Sequence, residues 1–439
     1  MISKKQVTWS QVLCLGFLLA FFLLQYLLFG YVRVVDTTAL ENFSHDVYPL
    51  YPLALLVFRS IFGAETGYFL LGLAQNVLLA LSIFVLTDYI RKAYGLSGFT
   101  FFGASAAVAA MFLVQKWATL TGVISSNTLF SEAFAIPFYL IFFRYALEAF
   151  ISEKQKPYIL SCIWAGILIL TRGQFYWTLI IIFLNGIRVV NPDRKRAFIC
   201  ALLACAGVFA AVLGVRGLQT SWLHTDEQTR NPANLIVLTT AVYCSESDDY
   251  LLFDEGSGER RLLEAVRPTM DDPEKPVAFS YEKGDLIQRH KLFETRYDEL
   301  KDCLKKAYYE ISAEDVSVSL GEITKKLIFA NPISFSLHCM QNFAVGLIRT
   351  VALLRPGLDI FALLLYLMMV LIAVTHRGPA FRPISQFLFF GMLCALLNTA
   401  VIAPGVFAQS RYVFYNMPVL YLGLGVYAVR GCRYVAERL

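Results

Sequence analysis

Charged residues are scarce in this sequence. Asp, Glu, Lys and Arg make up 16% of its 439 residues, and 57% of the residues are hydrophobic. An average soluble domain carries roughly 25% charged residues. The composition therefore excludes a soluble enzyme, a disordered tail and a nucleic-acid-binding module. The charge is also uneven, because residues 217–330 hold 22 of the 33 acidic side chains but only 14 of the 38 basic ones.

Closely spaced cysteine pairs are absent as well. None of the nine cysteines forms a CxxC pair, and most of them lie inside apolar runs. Cysteine in such a run behaves as a small hydrophobic residue, so the sequence predicts no structural zinc site. Only Cys244 and Cys303 lie deep in the polar interval, where two free thiols and one disulfide are both open alternatives.

Long apolar runs flank one long polar interval. Ten runs have about the length needed to cross a bilayer, at about residues 12–32, 67–90, 99–119, 128–149, 158–171, 174–190, 197–216, 357–375, 384–404 and 415–430. The fifth and sixth meet at Arg172, either as a tight hairpin or as one interrupted helix. The sequence predicts an all-α polytopic membrane protein with about ten transmembrane helices and a small extracytoplasmic domain between the seventh and eighth.

The chain divides into three predicted parts. Residues 1–216 form an N-terminal transmembrane module that begins with a retained signal anchor and contains a first outer loop at 33–66. Residues 217–330 form the acidic extracytoplasmic domain. Residues 331–439 comprise an amphipathic segment and the C-terminal transmembrane helices.

The basic residues predict the orientation. Sixteen Lys and Arg residues lie in one set of alternate connections, and eight lie in the opposite short loops and helix ends. Because positive charge is retained on the cytoplasmic side, both termini are predicted to be cytoplasmic in a multi-pass cell-membrane protein.

Acidic residues at the outer edge are the first functional candidates, since ionisable groups are costly at a membrane. Those outside the acidic domain are Asp36, Glu41, Asp46, Glu65 and Glu132. A carboxylate within hydrogen-bond reach of an acceptor hydroxyl can remove its proton. The alternative is that Asp36 and Glu41 cap a short helix near residues 37–44.

Arginines at outer helix ends are the second set. Arg172 lies in LTRGQFYW and Arg411 in AQSRYVFYNMP, and the planar guanidinium group can bind two phosphate oxygens at once. The alternative is that the side chains of these arginines extend to the membrane surface and contact lipid headgroups. Tyr412, Tyr48 and Arg59 are further candidates for binding substrate. His45, beside Asp46, could assist proton transfer, although a lone histidine is more often a structural hydrogen-bonding residue.

The order of these features resembles the GT-C glycosyltransferases, most closely the branch of protein O-mannosyltransferases and lipid A aminoarabinose transferases. That family has an acid after the first helix, here Asp36, and then a proline-aromatic segment, here DVYPLYPLALLVFRSIFG. It also has an acid opening the fourth helix, here Glu132 in LFSEAFAIPF, and the segments AGILILTRGQ and RYVFYNMPVLYL resemble its later motifs. The likeness covers most of 12–216 and 357–430, with Gly173 where proline is common.

The resemblance implies inverting sugar transfer from a polyprenyl-phosphate-linked donor to a glycan, lipid or protein acceptor on the extracytoplasmic face. Asp36 or Asp46 would deprotonate the acceptor hydroxyl, and Arg172 and Arg411 would hold the leaving lipid phosphate. Glu132 would position an acceptor hydroxyl or help to hold a metal. No cofactor is certain, and use of a divalent metal stays open.

Two other functions compete with this one. A polysaccharide polymerase or ligase also combines ten to twelve helices with a large outer loop, and Arg349 and Arg355 would suit its lipid diphosphate. A transporter or flippase would have broken helices and charges at mid-membrane depth. The ionisable groups in the apolar runs here lie near the ends of those runs.

The predicted orientation can be tested with a membrane-impermeant thiol reagent in intact cells. A cysteine placed at Ser257 should be labelled above the background of the parent chain, and one placed at Pro379 should not. Labelling at Pro379 would overturn the orientation.

Overall fold

A computed structural model describes most of the chain. The described residues are 8–33, 37, 40–41, 48–118, 125–189, 194–222, 234–270, 286–314, 316–352, 355–375, 378 and 381–436. These residues are predominantly helical, and among them the only β-type pairing is an isolated parallel bridge between Val32 and Thr128. The all-α prediction is therefore confirmed.

The helices include ten that follow the apolar runs of the sequence, because backbone polar groups in lipid must pair within their own segment. In chain order they are α1 (Trp9–Phe29), α2 (Leu50–Phe62), α3 (Ala64–Tyr94), α4 (Gly98–Ala118), α5 (Ser131–Ser152), α6 (Gln155–Thr171), α7 (Thr178–Val189), α8 (Arg194–Trp222), α9 (Leu235–Tyr243), α10 (Gly258–Met270), α11 (Leu286–Ser312), α12 (Leu320–Ala330), α13 (Pro332–Val351), α14 (Leu358–Thr375), α15 (Arg382–Ile402), α16 (Ser410–Val413) and α17 (Met417–Ala436). Each of the ten predicted runs coincides with a helix.

Seven helical stretches within the described residues are long and apolar enough to cross a membrane. They are Trp9–Phe29, Ala64–Tyr94, Ser131–Ser152, Lys195–Gln219, Leu358–Thr375, Arg382–Ile402 and Ser410–Arg433. A multi-pass membrane protein is thus confirmed, whereas the count of ten crossings stays a prediction. Helix α2 has 13 residues and is therefore only about 20 Å long, which is short of the roughly 30 Å hydrocarbon core.

The junction between the fifth and sixth runs is a sharp break. Helix α6 ends at Thr171, Arg172 is extended with φ −157° and ψ 132°, and a 3-10 helix covers Gly173–Trp177 before α7 begins. Helices α6 and α7 pack against each other. The junction is therefore a hairpin and not one interrupted helix.

The chain forms two compact units. Unit 1 comprises Met1–His224, Leu365–Cys394 and Phe414–Leu439, and unit 2 comprises Thr225–Leu364 and Ala395–Val413. The second unit therefore differs from the predicted 217–330 domain, because it also includes α13, the start of α14, the end of α15 and α16.

A network of side-chain amides ties α1 and α3 of unit 1 to the segment that precedes α5. Gln25 Nε2 donates to Asn76 Oδ1 at 2.6 Å and to Asn127 Oδ1 at 2.7 Å, and Asn76 Nδ2 donates to the Ser126 carbonyl at 3.1 Å. All four residues are buried. Because an unpaired buried amide is costly, this network fixes the position from which α5 starts.

Unit 2 has its own hydrophobic core between α9, α10, α11 and α12. Phe293 packs against Tyr243, Tyr297 and Phe407 with ring centroids 4.7–6.3 Å apart. Cys244 and Cys303 are both free thiols, so the disulfide alternative does not hold here.

Two histidines are also buried in unit 2. Burial lowers the pKa of His290 to about 3, with the nearby Arg349 charge adding to the effect. Burial alone lowers the pKa of His338 to about 4. Both imidazoles are therefore neutral at pH 7, and neither supplies a positive charge for an anionic ligand.

Candidate functional site

The candidate site lies at the first turn of α5. Phe130 has an extended backbone and precedes the helix, so Ser131 and Glu132 occupy its first positions. Glu132 is only 4% exposed. A carboxylate is favoured at a helix N-terminus, where the first backbone amides carry partial positive charge. A carboxylate that is buried to this extent nevertheless requires a cation as its partner.

Arg172 supplies that cation. Its guanidinium group forms an ion pair with Glu132, and Nη1 donates to Ser131 Oγ at 3.1 Å. The guanidinium carbon lies 5.9 Å from the centroid of the Phe130 ring. The extended backbone of Arg172 carries the side chain away from the end of α6 towards α5. Two residues that the sequence singled out separately are thus brought together.

Tyr48 packs directly on the hairpin beside Arg172. A Cβ atom on Gly173 would lie 2.1 Å from the Tyr48 hydroxyl oxygen, so any larger residue at this position requires the tyrosine side chain to shift. This contact gives a steric reason for glycine at position 173, where the family that the sequence resembles commonly has proline.

Tyr48 also contacts a second arginine. The Arg216 guanidinium carbon lies 4.5 Å from the centroid of the Tyr48 ring, and the ring centroids of Tyr48 and Tyr176 are 6.3 Å apart. Burial raises the pKa of Tyr48 to about 12, Tyr176 adds to the rise, and the Arg216 charge opposes it. Tyr48 is therefore a neutral hydroxyl at pH 7 that lies beside a cation.

Arg59 belongs to a second cluster. Glu41 accepts from Arg33 at 2.9 Å and pairs with Arg59 at 3.8 Å, and both guanidinium groups lie within 6 Å of the centroid of the Tyr68 ring. Glu41 therefore holds two arginines in place. This arrangement is more typical of a structural ion-pair cluster than of a general base. Thr37, Leu40 and Glu41 are helical.

The segment between α1 and α2 is attached to the start of α5. Thr37 Oγ1 donates to the Leu129 carbonyl at 2.9 Å, and the Val32 amide donates to the Asn127 carbonyl at 3.0 Å. Tyr51 is fully buried, and its pKa is raised by burial and by the charges of Glu132 and Glu41. Tyr51 therefore lies within the electrostatic influence of both carboxylates. The predicted residues Asp36, His45 and Asp46 lie outside the described residues.

Arg411 and Tyr412 belong to unit 2. Arg411 Nη2 donates to the Tyr412 hydroxyl at 2.9 Å, and the guanidinium carbon lies 4.9 Å from the centroid of the tyrosine ring. The preceding segment is held by Asn342, whose Nδ2 donates to the carbonyls of Ala403 and Val406 at 2.9 and 2.7 Å. The backbone leading to Arg411 is therefore fixed within its own unit.

Arg349 has a structural role in the same segment. Its side chain is 7% exposed, pairs with Glu294 at 3.1 Å and donates to the Ala408 carbonyl at 2.8 Å. Arg349 is more deeply buried than Arg172, whose side chain is 17% exposed, so it is less accessible to the lipid diphosphate that it would suit in the polymerase or ligase alternative. Arg355 is exposed.

Among the described residues, no group of three or more His, Cys, Asp or Glu side chains could hold a metal ion. Glu132, the residue considered for metal binding, is paired with Arg172. The sequence did not indicate Tyr51 and Arg216 at this site, and it offered Glu41 as a candidate acid or helix cap and not as the partner of two arginines. The repeated Tyr-Pro pattern around Tyr51 was the available signal.

Comparison of the chain with protein-family models, with curated proteins and with solved structures gives no match.

The contact between Gly173 and Tyr48 can be tested by a double-mutant cycle. Gly173→Ala should lower the free energy of unfolding in detergent by about 1–3 kcal/mol, because the added methyl group overlaps the tyrosine hydroxyl. In a Tyr48→Ala background the same substitution should cost much less. Gly207→Ala, where a Cβ meets nothing within 4 Å, is the control. An equal loss with and without Tyr48 would show that the contact is not the cause.

Proposed function

We propose that the chain is a membrane glycosyltransferase that moves a sugar from a polyprenyl-phosphate donor to an acceptor hydroxyl on the extracytoplasmic face, with inversion. The observation that carries the proposal is the pairing of Arg172 with Glu132 and Ser131 at the start of α5. It combines a phosphate-binding group with a carboxylate at one helix end. The resemblance to GT-C enzymes supports the same assignment.

In this reaction Asp36 or Asp46 takes the proton of the acceptor hydroxyl, and the acceptor oxygen attacks the anomeric carbon. The bond between that carbon and the phosphate oxygen breaks, and its electron pair stays on the lipid phosphate. Arg172, with Arg411 as a second candidate, stabilises the charge that develops there. Glu132 orients Arg172 through their ion pair.

The arrangement of Arg172 suits this role. Its side chain is 17% exposed while that of Glu132 is 6% exposed, so Arg172 is the more accessible member of the ion pair. A lipid phosphate that approaches the pair therefore meets the arginine and not the carboxylate. Arg216 lies above Tyr48, the residue that packs on the neighbouring Gly173, and adds positive charge to the same part of unit 1.

The alternatives fit the described contacts less well. Arg349 is used inside unit 2, which weakens the polymerase or ligase assignment. Glu132 and Arg172 lie at helix ends, whereas a transporter is expected to place such groups at broken helices near mid-membrane depth.

The test uses two ion pairs at opposite ends of α5. Glu132 is in the first turn of this helix and pairs with Arg172, whereas Glu153 follows its last residue and pairs with Arg188 at 2.8 Å. Arg172→Gln should lower sugar transfer by about 30-fold to 1000-fold, because a charge-assisted contact that strengthens in the transition state is worth roughly 2–4 kcal/mol. Arg188→Gln should leave the transfer rate nearly unchanged.

Initial rates are measured in detergent with a polyprenyl-phosphate sugar series at matched protein amounts. Equal rates for Arg172→Gln and the parent would remove Arg172 from the site. In the same assay, loss of transfer in only one of Asp36→Asn and Asp46→Asn identifies the base. Full activity in both would end the general-base proposal.

A further inference from the structure

Unit 2 carries an exposed apolar stripe outside the helices that could span a membrane. Phe329, Ile333, Leu337 and Met340 form this apolar stripe, with exposed fractions of 72%, 71%, 39% and 66%. Helix α12 ends at Ala330 and α13 begins at Pro332. On α13 the stripe residues are spaced by four and three positions, which places them on one side of the helix.

The opposite side of α13 is fixed in the protein. His338, Asn342 and Val345 are buried, and Phe335 packs against the core of unit 2. Asn342 is bound to the backbone at Ala403 and Val406. The helix therefore cannot rotate to bury the apolar stripe, and its exposure follows from the fold of unit 2.

The charge beside the stripe favours an anionic surface. Helix α13 contains no acidic residue. Lys325 lies one turn before Phe329, and within the described part of the chain no ion pair involves Lys325, whereas Lys326 pairs with Glu322 at 3.3 Å. Lys325 and Phe329 also line one shallow cavity of about 390 Å³ together with Val237 and Ile328. A cation beside apolar side chains matches a phospholipid, which has an anionic headgroup above acyl chains.

The helix that carries the stripe, α13, is followed in the sequence by a helix that can cross the bilayer. Helix α13 ends at Val351, and α14, which is long and apolar enough to span, begins at Leu358. Six residues separate the two helices, and such a connection reaches at most about 20 Å. The end of α13 is therefore held near a membrane surface.

The outer face of α11 has the opposite character. Its exposed positions include Lys306 and Glu310, with side chains 78% and 65% exposed and 3.8 Å apart. Unit 2 therefore has a charged face suited to water and an apolar face that is not.

We propose that the apolar stripe lies in the bilayer interface, with α13 parallel to the membrane plane and Lys325 beside the headgroup phosphates. An amphipathic helix with a fixed polar side and an exposed apolar side adopts this position because it buries apolar surface among lipid chains. The inference does not depend on the proposed enzymatic function. It gives unit 2 a lipid contact of its own, outside the spanning helices.

The test measures the accessibility of nitroxide labels in the full chain reconstituted into liposomes that contain phosphatidylglycerol. Labels are attached at Ile333→Cys and Met340→Cys, with Lys306→Cys on α11 as the control. The exposed native residues Cys200 and Cys432 are replaced by serine, and the unsubstituted background is subtracted. Oxygen concentrates among lipid chains, whereas a nickel chelate stays in water.

The oxygen-to-chelate accessibility ratio should be several-fold higher at Ile333 and Met340 than at Lys306. A ratio at the two stripe positions equal to that at Lys306 would place the stripe in water and overturn the proposal. Low accessibility to both reagents would show that protein, such as a second copy of the chain, covers the stripe, and this result would overturn the lipid assignment as well. Because all three positions are exposed on the surface, the substitutions leave the core of unit 2 intact.

Discussion

A carboxylate at the end of an apolar helix must be compensated, and the compensation of Glu132 by Arg172 determines the local structure of unit 1. Arg172 reaches Glu132 because its backbone leaves the helical conformation after Thr171. That break creates the hairpin between α6 and α7 and places Gly173 under Tyr48, where a larger residue would displace the tyrosine. The ion pair, the hairpin and the glycine are thus parts of one arrangement.

The same constraint acts on the segment between α1 and α2. The start of α5 must be fixed if Glu132 is to meet its partner, and the side-chain amides of Gln25 and Asn76 fix it through Asn127. Thr37 then attaches the segment between α1 and α2 to the Leu129 carbonyl. Polar residues inside an apolar module are costly unless they are paired, so their concentration around one helix end is best explained by a site that requires a defined geometry.

The sequence predicts the helices of this fold well, because apolar runs in a membrane protein have few alternatives to helix. It also indicates Glu132 and Arg172 individually, as ionisable groups at helix ends. The contact of Arg172 with Glu132 and with the preceding Ser131 was not predictable. Arg172 and Ser131 are 41 positions apart, and only the packing of α5 against α6 brings the three residues together.

Arg349 shows the limit of the same reasoning. An arginine near an outer helix end looks like a phosphate ligand, and only the fold shows that it binds the Ala408 carbonyl and Glu294. The set of segments that forms unit 2 could not be predicted from the sequence either. Ala395–Val413 belongs to it, although residues 313–394 separate this segment from the end of α11 in the sequence. Charge and hydropathy report on neighbours along the chain, whereas a compact unit is defined by contacts in space.

The most direct measurement of the central claim is the equilibrium affinity of purified protein for a polyprenyl phosphate that carries no sugar. The Arg172 site should bind the lipid phosphate itself, so Arg172→Gln should weaken binding by about tenfold or more, as expected for loss of a charge-assisted hydrogen bond worth roughly 1.5–3 kcal/mol. Arg188→Gln, at the other end of α5, should bind like the parent protein. Unchanged affinity in Arg172→Gln would contradict the claim that this ion pair marks a phosphate site.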